Sequence, residues 1–523
     1  MSWSFGALKE HLSQNANLLN RLFKAPYGLA IWLAAYMALW TIVPILSNAG
    51  FPADTMEIIA WAREWPMGVY RHPPVKIWLM EIAYQASGGW KGSAYILSAL
   101  GYAVFQVSIY LTIRTVYSHQ IAFTAVIVSP LIFYFSSSLP QWNANTAQFA
   151  FIGLFAFFGW KALQTQKLYW WIGVGLAASF GLQTKYSFVL VMAALFLAAM
   201  TSPTLRPKIS WIGVLLAAII FVVIAVPHAF WLIENLDFVY AYAIERVGSS
   251  PIAFGFIVGP LAVVGAWLAL ALLPYLAIRN GLNGSSHETL DTAQYELKWM
   301  IAWMAMFPSL VGLFIAGFSG ATLKDEWFFM NYLFLPALLV VYLCGRMGNT
   351  MVWTKSRQYL IFGFIVFMAI IYPGEWVLKS ALQDNLQPWT PVMPTEKVTL
   401  RAQDVWRNGL INFGFNPEMP IKIVSGEIPA ATVANHLTGR TAKWFEEHNF
   451  DYSPWVTPEE LRQFGAVHMG RYDAEFWQSN NSCAASQVEI RRFNGFDRFV
   501  GTLQITAILP IIEGQEELCI NQS

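Results

Sequence analysis

The feature that most constrains this chain is a series of apolar blocks, each about as long as a lipid bilayer is thick. A helix crossing the hydrocarbon core needs roughly 20 mostly apolar residues. Segments of that kind lie near 27–48, 94–114, 120–139, 144–163, 168–182, 184–200, 209–231, 253–278, 297–318, 327–345 and 358–378, about eleven in all. Lipid offers backbone groups no hydrogen-bond partner, so each block is expected to be helical. Composition agrees. The 523 residues are 56% apolar and only 12% charged, against about 25% charged in an average soluble protein. So little charge cannot coat a soluble globule of this length. The expected fold class is a polytopic α-helical membrane protein, with membrane lipids around it. A formal net charge of +1 lacks the concentrated basic excess of a nucleic-acid surface, so no nucleic-acid partner is expected. The first 25 residues are polar and amphipathic, and do not read as a cleaved signal peptide.

Basic residues in short loops set the orientation. Arg21 and Lys24, Lys161 and Lys167, Arg206 and Lys208, Arg279, and Arg346 with Lys355 and Arg357 fall in alternate loops, which are expected to be cytoplasmic. The long loop at 49–93 breaks the pattern. It carries Arg63, Arg71, Lys76 and Lys91 together with Asp54, Glu57, Glu64 and Glu81. Charge of both signs in a long exterior loop points to a site more than to a topology signal. An odd number of spans with the N-terminus inside puts the C-terminus outside.

From about residue 380 prolines, charges and short alternating runs appear, such as Ile421–Val424 and Val488–Arg492. Residues 380–523 are expected to form an exterior α/β or α+β domain, after a membrane domain over 1–379. The cysteines are Cys344, Cys483 and Cys519, none at metal-ligand spacing. In an oxidising compartment Cys483 and Cys519 are expected to pair; two unpaired thiols are the alternative. Cys344 lies in an apolar helix as a small packing residue.

The exterior loop reads Gly50-Phe-Pro-Ala-Asp54-Thr-Met-Glu57-Ile-Ile-Ala-Trp61 and continues to Gly68-Val-Tyr70-Arg71-His72-Pro73-Pro74. Pro52 precedes a helix start, and Asp54 with Glu57 three residues on approaches a capping box. On that reading both carboxylates merely cap a surface helix. On the other reading, the helix lies flat on the membrane with Ile58, Trp61 and Trp65 toward lipid. It would then hold two carboxylates at the lip of the bundle, where a raised pKa suits a general base. Two prolines fix an extended turn that presents Arg71 and His72 beside the segment of Lys76. Such a cluster suits a phosphate or anionic lipid headgroups. Lys185 sits in an apolar stretch, where a charge is costly and a functional role is the default; snorkelling to an interface is the alternative.

The run Asp54-x-x-Glu57-x-x-x-Trp61 followed by Gly68-x-Tyr70-x-His72-Pro73-Pro74 resembles the first exterior loop of family 39-type glycosyltransferases. These are the relatives of dolichyl-phosphate-mannose–protein mannosyltransferases and of the lipid A aminoarabinose and galacturonic acid transferases. Gly181-Leu-Gln-Thr-Lys185-Tyr186 and Pro227-His228-x-x-Trp231-x-x-Glu234-Asn235-x-Asp237-Phe238, with Tyr242 and Arg246 following, are similar to two further family segments. In the tail, Ser453-Pro454-Trp455-Val456-Thr457-Pro458 with Gly465-Ala466-Val467 is similar to the exterior domain of bacterial members. Four matches in order span nearly the whole chain.

The resemblance implies the GT-C fold, a multi-helix bundle with its active site at the outer face of the bacterial inner membrane, here as a monomer with a periplasmic C-terminal domain. It implies a sugar donor linked through phosphate to a polyprenol, undecaprenyl or similar. The acceptor it implies is lipid A, lipopolysaccharide or another envelope glycan, less readily a protein hydroxyl. Asp54 then matches the catalytic carboxylate, accepting the acceptor's proton in a single displacement with inversion. Arg71, His72, Lys185 and Arg246 are the candidates to hold the donor phosphate, whose developing charge needs fixed cations. Glu57, Tyr70, Tyr186, His228, Glu234, Asn235 and Trp327 are the substrate-binding candidates; His228 and Glu234 otherwise mark an interface, and the charges at 324–326 otherwise face water. Asp54 is followed by Thr55 where some relatives carry a second acid, so no metal is implied. A glycine-rich nucleotide loop is absent, which suits a lipid-linked donor. A transporter or flippase for a lipid-linked substrate is the competing class, although no internal repeat of the kind transporters show is visible. A binding protein with an inert anchor leaves the loop charges unexplained.

Overall fold

The computed structural model describes residues 25–247 (26, 49 and 91 excepted), 291–319, 329–344, scattered residues between 363 and 378, and 395–511 apart from 472, 480–482 and 494–498. The expected span at 253–278 lies outside the described residues, and so does more than half of that at 358–378. The chain divides into two compact units. The first comprises Met1–Ile42, Tyr70–Val75 and Tyr95–Gly374, the second Val43–Val69, Lys76–Ala94 and Glu375–Ser523.

The first unit is a helical bundle. Its helices are α1 (Gly28–Ser47, running into the second unit), α4 (Ser93–Arg114), α5 (His119–Ile127), α6 (Gln148–Thr165), α7 (Leu168–Leu182), α8 (Phe188–Thr201), α9 (Trp211–Glu234), α10 (Leu236–Val247), α11 (Thr292–Ser319) and α12 (Phe329–Cys344). Among the described residues α1, α4 and α9 are long and apolar enough to cross a membrane, and α7 and α8 are shorter apolar helices. Packing runs α6 to α7 to α9, and α8 to α11 to α12. Small residues permit the close approaches, as expected where packing rather than hydrophobicity joins helices. A Cβ on Gly175 of α7 would stand 2.6 Å from the Ala217 carbonyl of α9, and one on Gly153 of α6 would stand 2.7 Å from Cα of Phe105 on α4. The fully buried Trp40, Tyr102, Phe105, Phe135, Phe149 and Trp160 fill the centre.

The expected span at 120–139 needs correction. Helix α5 ends at Ile127 and gives way to two single 3-10 turns, Ser129–Leu131 and Phe133–Phe135. Pro130 supplies no N–H to continue an α-helix, and the serines at 136–138 compete for backbone partners. The irregular stretch survives because it is buried and satisfied internally: Ile132 N bonds Ser129 O at 2.9 Å, and Phe135 N bonds Ile132 O at 2.9 Å. Non-helical backbone at membrane depth is tolerated only when sheltered by protein in this way.

At the end opposite the motif segments, the fully buried Glu296 of α11 accepts Lys208 Nζ at 2.6 Å and Gln164 Nε2 at 2.8 Å. One carboxylate thus ties the last turn of α6 to the connection after α8.

The second unit joins the loop at 49–93 to the tail. It contains α2 (Ala53–Ala62), α3 (Val75–Ala86, from Lys76 onward), α13 (Thr395–Asn412), α14 (Ile428–His436), α15 (Pro458–Phe464), α16 (Ala474–Ser479) and strands β1 (Ile423–Gly426), β2 (Lys443–Glu446), β3 (Ala466–Met469), β4 (Cys483–Phe493) and β5 (Phe499–Leu509). The sheet order is β2-β1-β3-β5-β4. β2, β1 and β3 are parallel, joined by α14 and α15 as crossovers; β5 runs antiparallel to both β3 and β4. The three parallel strands are short and carry mostly buried residues, as strands covered on both faces require. The alternating runs expected at 421–424 and 488–492 lie in β1 and β4, β1 beginning two residues later than expected.

The tail motif Ser453–Pro458 proves to be scaffolding for this sheet. Ser453 Oγ accepts Glu446 N at 2.8 Å, and Trp455 Nε1 donates to Trp444 O at 2.8 Å. Thr457 caps α15 by a capping box with Glu460.

Candidate active site

Within the bundle, three stretches far apart in sequence are brought together. The segment Tyr70–Val75 is pinned to the segment 181–186 by a backbone bond from Val75 N to Gln183 O at 3.0 Å. Pro73 and Pro74, both buried, leave their turn no alternative donor, so Val75 supplies the first free N–H after His72. Lys185 follows the C-terminal turn of α7, half-buried, and donates Nζ to Asn145 Oδ1 at 2.7 Å. Asn145 is itself oriented: its N–H and that of Thr146 donate to Asn143 Oδ1 at 2.9 and 3.1 Å.

The third stretch comes from α9 and α10. Tyr186 and His228 share a hydrogen bond between OH and Nε2 at 3.1 Å and stack at 5.9 Å with 19° between planes. His228 also stacks on Trp231 at 5.8 Å. Tyr70 packs against Phe238 at 5.5 Å and edge-on to Tyr242 at 5.3 Å. The Arg71 guanidinium lies over both tyrosines, 4.9 Å from the Tyr70 ring and 5.9 Å from that of Tyr242. A guanidinium stacked over aromatic faces is held in a defined orientation. Arg71 and His72 are both half-buried. At the end of α9, Asn235 Nδ2 bonds Trp231 O at 2.8 Å and closes the helix, while Glu234 is exposed.

In the second unit, Asp54 occupies the second position of α2. The expected capping role is overturned: Pro52 is the N-cap, and no side chain caps the helix. Pro52 holds φ −54° and ψ 150°, pre-set to lead into a helix, which moves the start ahead of Asp54. Every residue from Thr55 to Ala62 is buried, while Asp54 is exposed. Glu57, the second carboxylate, is 8% exposed.

The expectation that Ile58 and Trp61 face lipid is also corrected. Both are buried in protein, at 1% and 0% exposure, and Trp61 Nε1 donates to Glu446 Oε2 at 3.2 Å. An apolar helix face is equally content against protein or lipid, so the pattern did not discriminate. Trp65 is exposed, and Lys76 is fully buried within α3. The side chains of Arg246, Cys344 and Cys483, together with Trp327, the charges at 324–326 and Cys519, lie outside the described residues.

Sequence reasoning missed Asn145 and its orienting Asn143, although Gln141, Asn143, Asn145 and Gln148 form a polar run that enters an apolar block. It also passed over Asn435, Arg440 and Glu446, which carry no local signal.

The chain is similar to known proteins over much of its length. The family described as dolichyl-phosphate-mannose-protein mannosyltransferase matches residues 71–231, which hold the turn of Arg71, the Lys185 segment and His228. The lipopolysaccharide core galacturonosyltransferase RgtB of Rhizobium johnstonii is 26% identical over 353 residues, covering 65% of this chain and 69% of the relative. RgtA of the same organism is 24% identical over 331 residues, covering 61% and 65%. Among solved structures, ArnT from Cupriavidus metallidurans is similar in its apo state, with TM-score 0.57 and 12% identity over 91% of this chain and 98% of that one. The same protein bound to undecaprenyl phosphate gives TM-score 0.54 over 92% and 98%.

The fold and the matches define a membrane-embedded glycosyltransferase, not a transporter. The chain is similar to bacterial glycosyltransferases of the GT-C fold.

Proposed function

We propose that this enzyme transfers one sugar from a polyprenyl phosphate to a lipopolysaccharide-type envelope acceptor at the periplasmic face of the inner membrane. The observation that carries the reading is the junction of the Tyr70–Val75 turn with the Lys185 segment through Val75 and Gln183. It fixes the backbone that bears Arg71 and His72 to the backbone that bears Lys185. Cations set this way stabilise the negative charge that develops on a phosphate leaving group. The donor class is supported by ArnT, solved with undecaprenyl phosphate, and the acceptor class by the core galacturonosyltransferases.

Asp54 acts as the general base. It deprotonates the acceptor hydroxyl as that oxygen attacks the anomeric carbon from the face opposite the departing phosphate, so the sugar configuration inverts. Its exposure at the start of an otherwise buried helix leaves its carboxylate accessible to an incoming hydroxyl. Arg71, His72, Lys185 and Arg246 hold the phosphate, with Tyr186 and His228 lining the sugar site. The domain expected over 380–523 is periplasmic, and Cys483 pairs with Cys519.

The test is sugar transfer in nanodiscs from a panel of polyprenyl-phosphate sugars, galacturonate first, onto lipopolysaccharide core. Wild type should transfer, and Asp54→Asn should be slower by about a hundredfold or more with donor binding retained. Equal rates would remove Asp54 from that role, while a wild type that neither binds nor transfers any donor would overturn the donor class.

A further inference from the structure

The helix that carries Asp54 does not hold itself in place. Ten residues without a side-chain cap are too few to be stable alone in water. Three side chains from the tail grip it between Met56 and Trp61. Asn435 Nδ2 donates to the Met56 carbonyl at 3.1 Å, Arg440 Nη2 donates to the Ile59 carbonyl at 2.6 Å, and Glu446 accepts the Trp61 indole at 3.2 Å. The tail end of each contact is buried, at 8%, 6% and 1% exposure.

Arg440 is the most committed of the three. Its Nη1 also pairs with Glu81 on α3 at 2.9 Å, and its guanidinium lies 4.4 Å from the Tyr84 ring. Glu81 is in turn held by Gln85 Nε2 at 3.1 Å. The residue sits at φ +47°, directly after Gly439 at φ +70°. A non-glycine residue in the left-handed region is uncommon and is retained where the surroundings over-determine it. The turn after α14 thus directs one guanidinium to both helices of the exterior loop.

We infer that Asn435, Arg440 and Glu446 are positioning residues, through which the C-terminal domain sets the location of the Asp54 carboxylate. The inference rests on Asp54 as base. A base displaced by about 1 Å from its near-attack position can cost a hundredfold in rate while binding is little changed. The domain is then part of the catalytic apparatus, although it contributes no group to the reacting atoms.

The test uses the full-length enzyme in nanodiscs, with the donor and acceptor of the transfer assay. Asn435→Ala and Arg440→Gln should lower kcat by about ten- to a hundredfold with donor KM changed by less than about threefold. Arg440→Lys should recover part of the loss, since an ammonium keeps the charge without the fork that spans two acceptors. In the Asp54→Asn background, Arg440→Gln should cause no further loss. Hydrogen exchange at residues 53–62 should quicken in Asn435→Ala. An unchanged kcat and exchange in folded Asn435→Ala would overturn the inference, as would an equal fold loss in the Asp54→Asn background. Should Arg440→Gln fail to fold, Asn435→Ala decides alone, singly and in the Asp54→Asn background. A fully active Asp54→Asn enzyme sinks the assignment of the base instead, and exchange still reports whether the grip exists.

Discussion

Lys185 and Asn145 meet at 2.7 Å across forty residues of intervening chain. The contact presents a cation from a half-buried position inside an apolar bundle. A charge there is costly unless it is paired or hydrogen-bonded, and the Asn145 amide oxygen supplies one such bond.

Loss of that cation should weaken donor binding. Lys185→Ala is expected to raise the dissociation constant for undecaprenyl phosphate by about ten- to a hundredfold, the worth of one hydrogen bond to a charged group. Asn145→Leu should do so by less, since the charge remains. Titration by intrinsic tryptophan fluorescence measures both, and unchanged affinity in Lys185→Ala would assign the lysine to structure alone.

The Tyr186–His228 pair predicts a smaller effect. Tyr186→Phe removes the 3.1 Å hydrogen bond and keeps the stacked rings. A net hydrogen-bond contribution of about 0.5–1.5 kcal/mol corresponds to a loss of roughly two- to tenfold in kcat/KM. Tyr186→Ala, which also removes the stack, should cost more.

Glu296 should matter for stability and not for chemistry. Glu296→Gln leaves Lys208 facing a neutral amide in a buried setting, and removing one member of a buried pair typically costs about 3–5 kcal/mol. Since Lys208 is about one-third exposed, the lower end is expected, read as a drop in Tm in detergent. An unchanged Tm would show that water supports this end of the bundle adequately.

Acid should destabilise the C-terminal domain through a histidine pair. His448 Nε2 and His468 Nδ1 lie 2.9 Å apart, and His468 Nε2 donates to Arg471 O at 3.0 Å. That bond places the His468 proton on Nε2, so His448 is the donor in the pair and both rings are neutral. Burial, with the neighbouring His468, pushes His448 down to about 4; burial also lowers His468, and Asp473 opposes both shifts. Unfolded histidines titrate near 6.5, so the unfolded chain binds more protons between about pH 4 and 6.5. Stability is therefore complete above that window and falls as pH drops through it. Tm should decline from pH 7 to pH 5, and His448→Gln, which keeps a donor without the titration, should flatten the decline.

Much of the architecture was legible from hydropathy. The ends of α1, α4 and α7 fall within a residue or two of the apolar blocks read for them, because lipid imposes one uniform demand on every residue of a span. The block at 120–139 misled because burial in protein satisfies an apolar segment as well as lipid does. Hydropathy cannot tell the two apart, nor whether the backbone inside is helical. The same ambiguity placed Ile58 and Trp61 toward the membrane.

The motif residues Asp54, His72, Lys185 and His228 could be named from their order along the chain, since charge and prolines in apolar surroundings are visible locally. Their partners could not. Asn145, Gln183, Asn435 and Arg440 are ordinary polar residues until packing brings a particular carbonyl or ring within 3 Å or so of them, and hydrogen bonding is selective only at that range. Hydropathy and local motifs were therefore enough for a helical membrane protein with a loop that carries both cations and carboxylates. That the tail grips this loop emerges only from packing, because it depends on contacts nearly four hundred residues apart in the chain, such as Trp61 with Glu446.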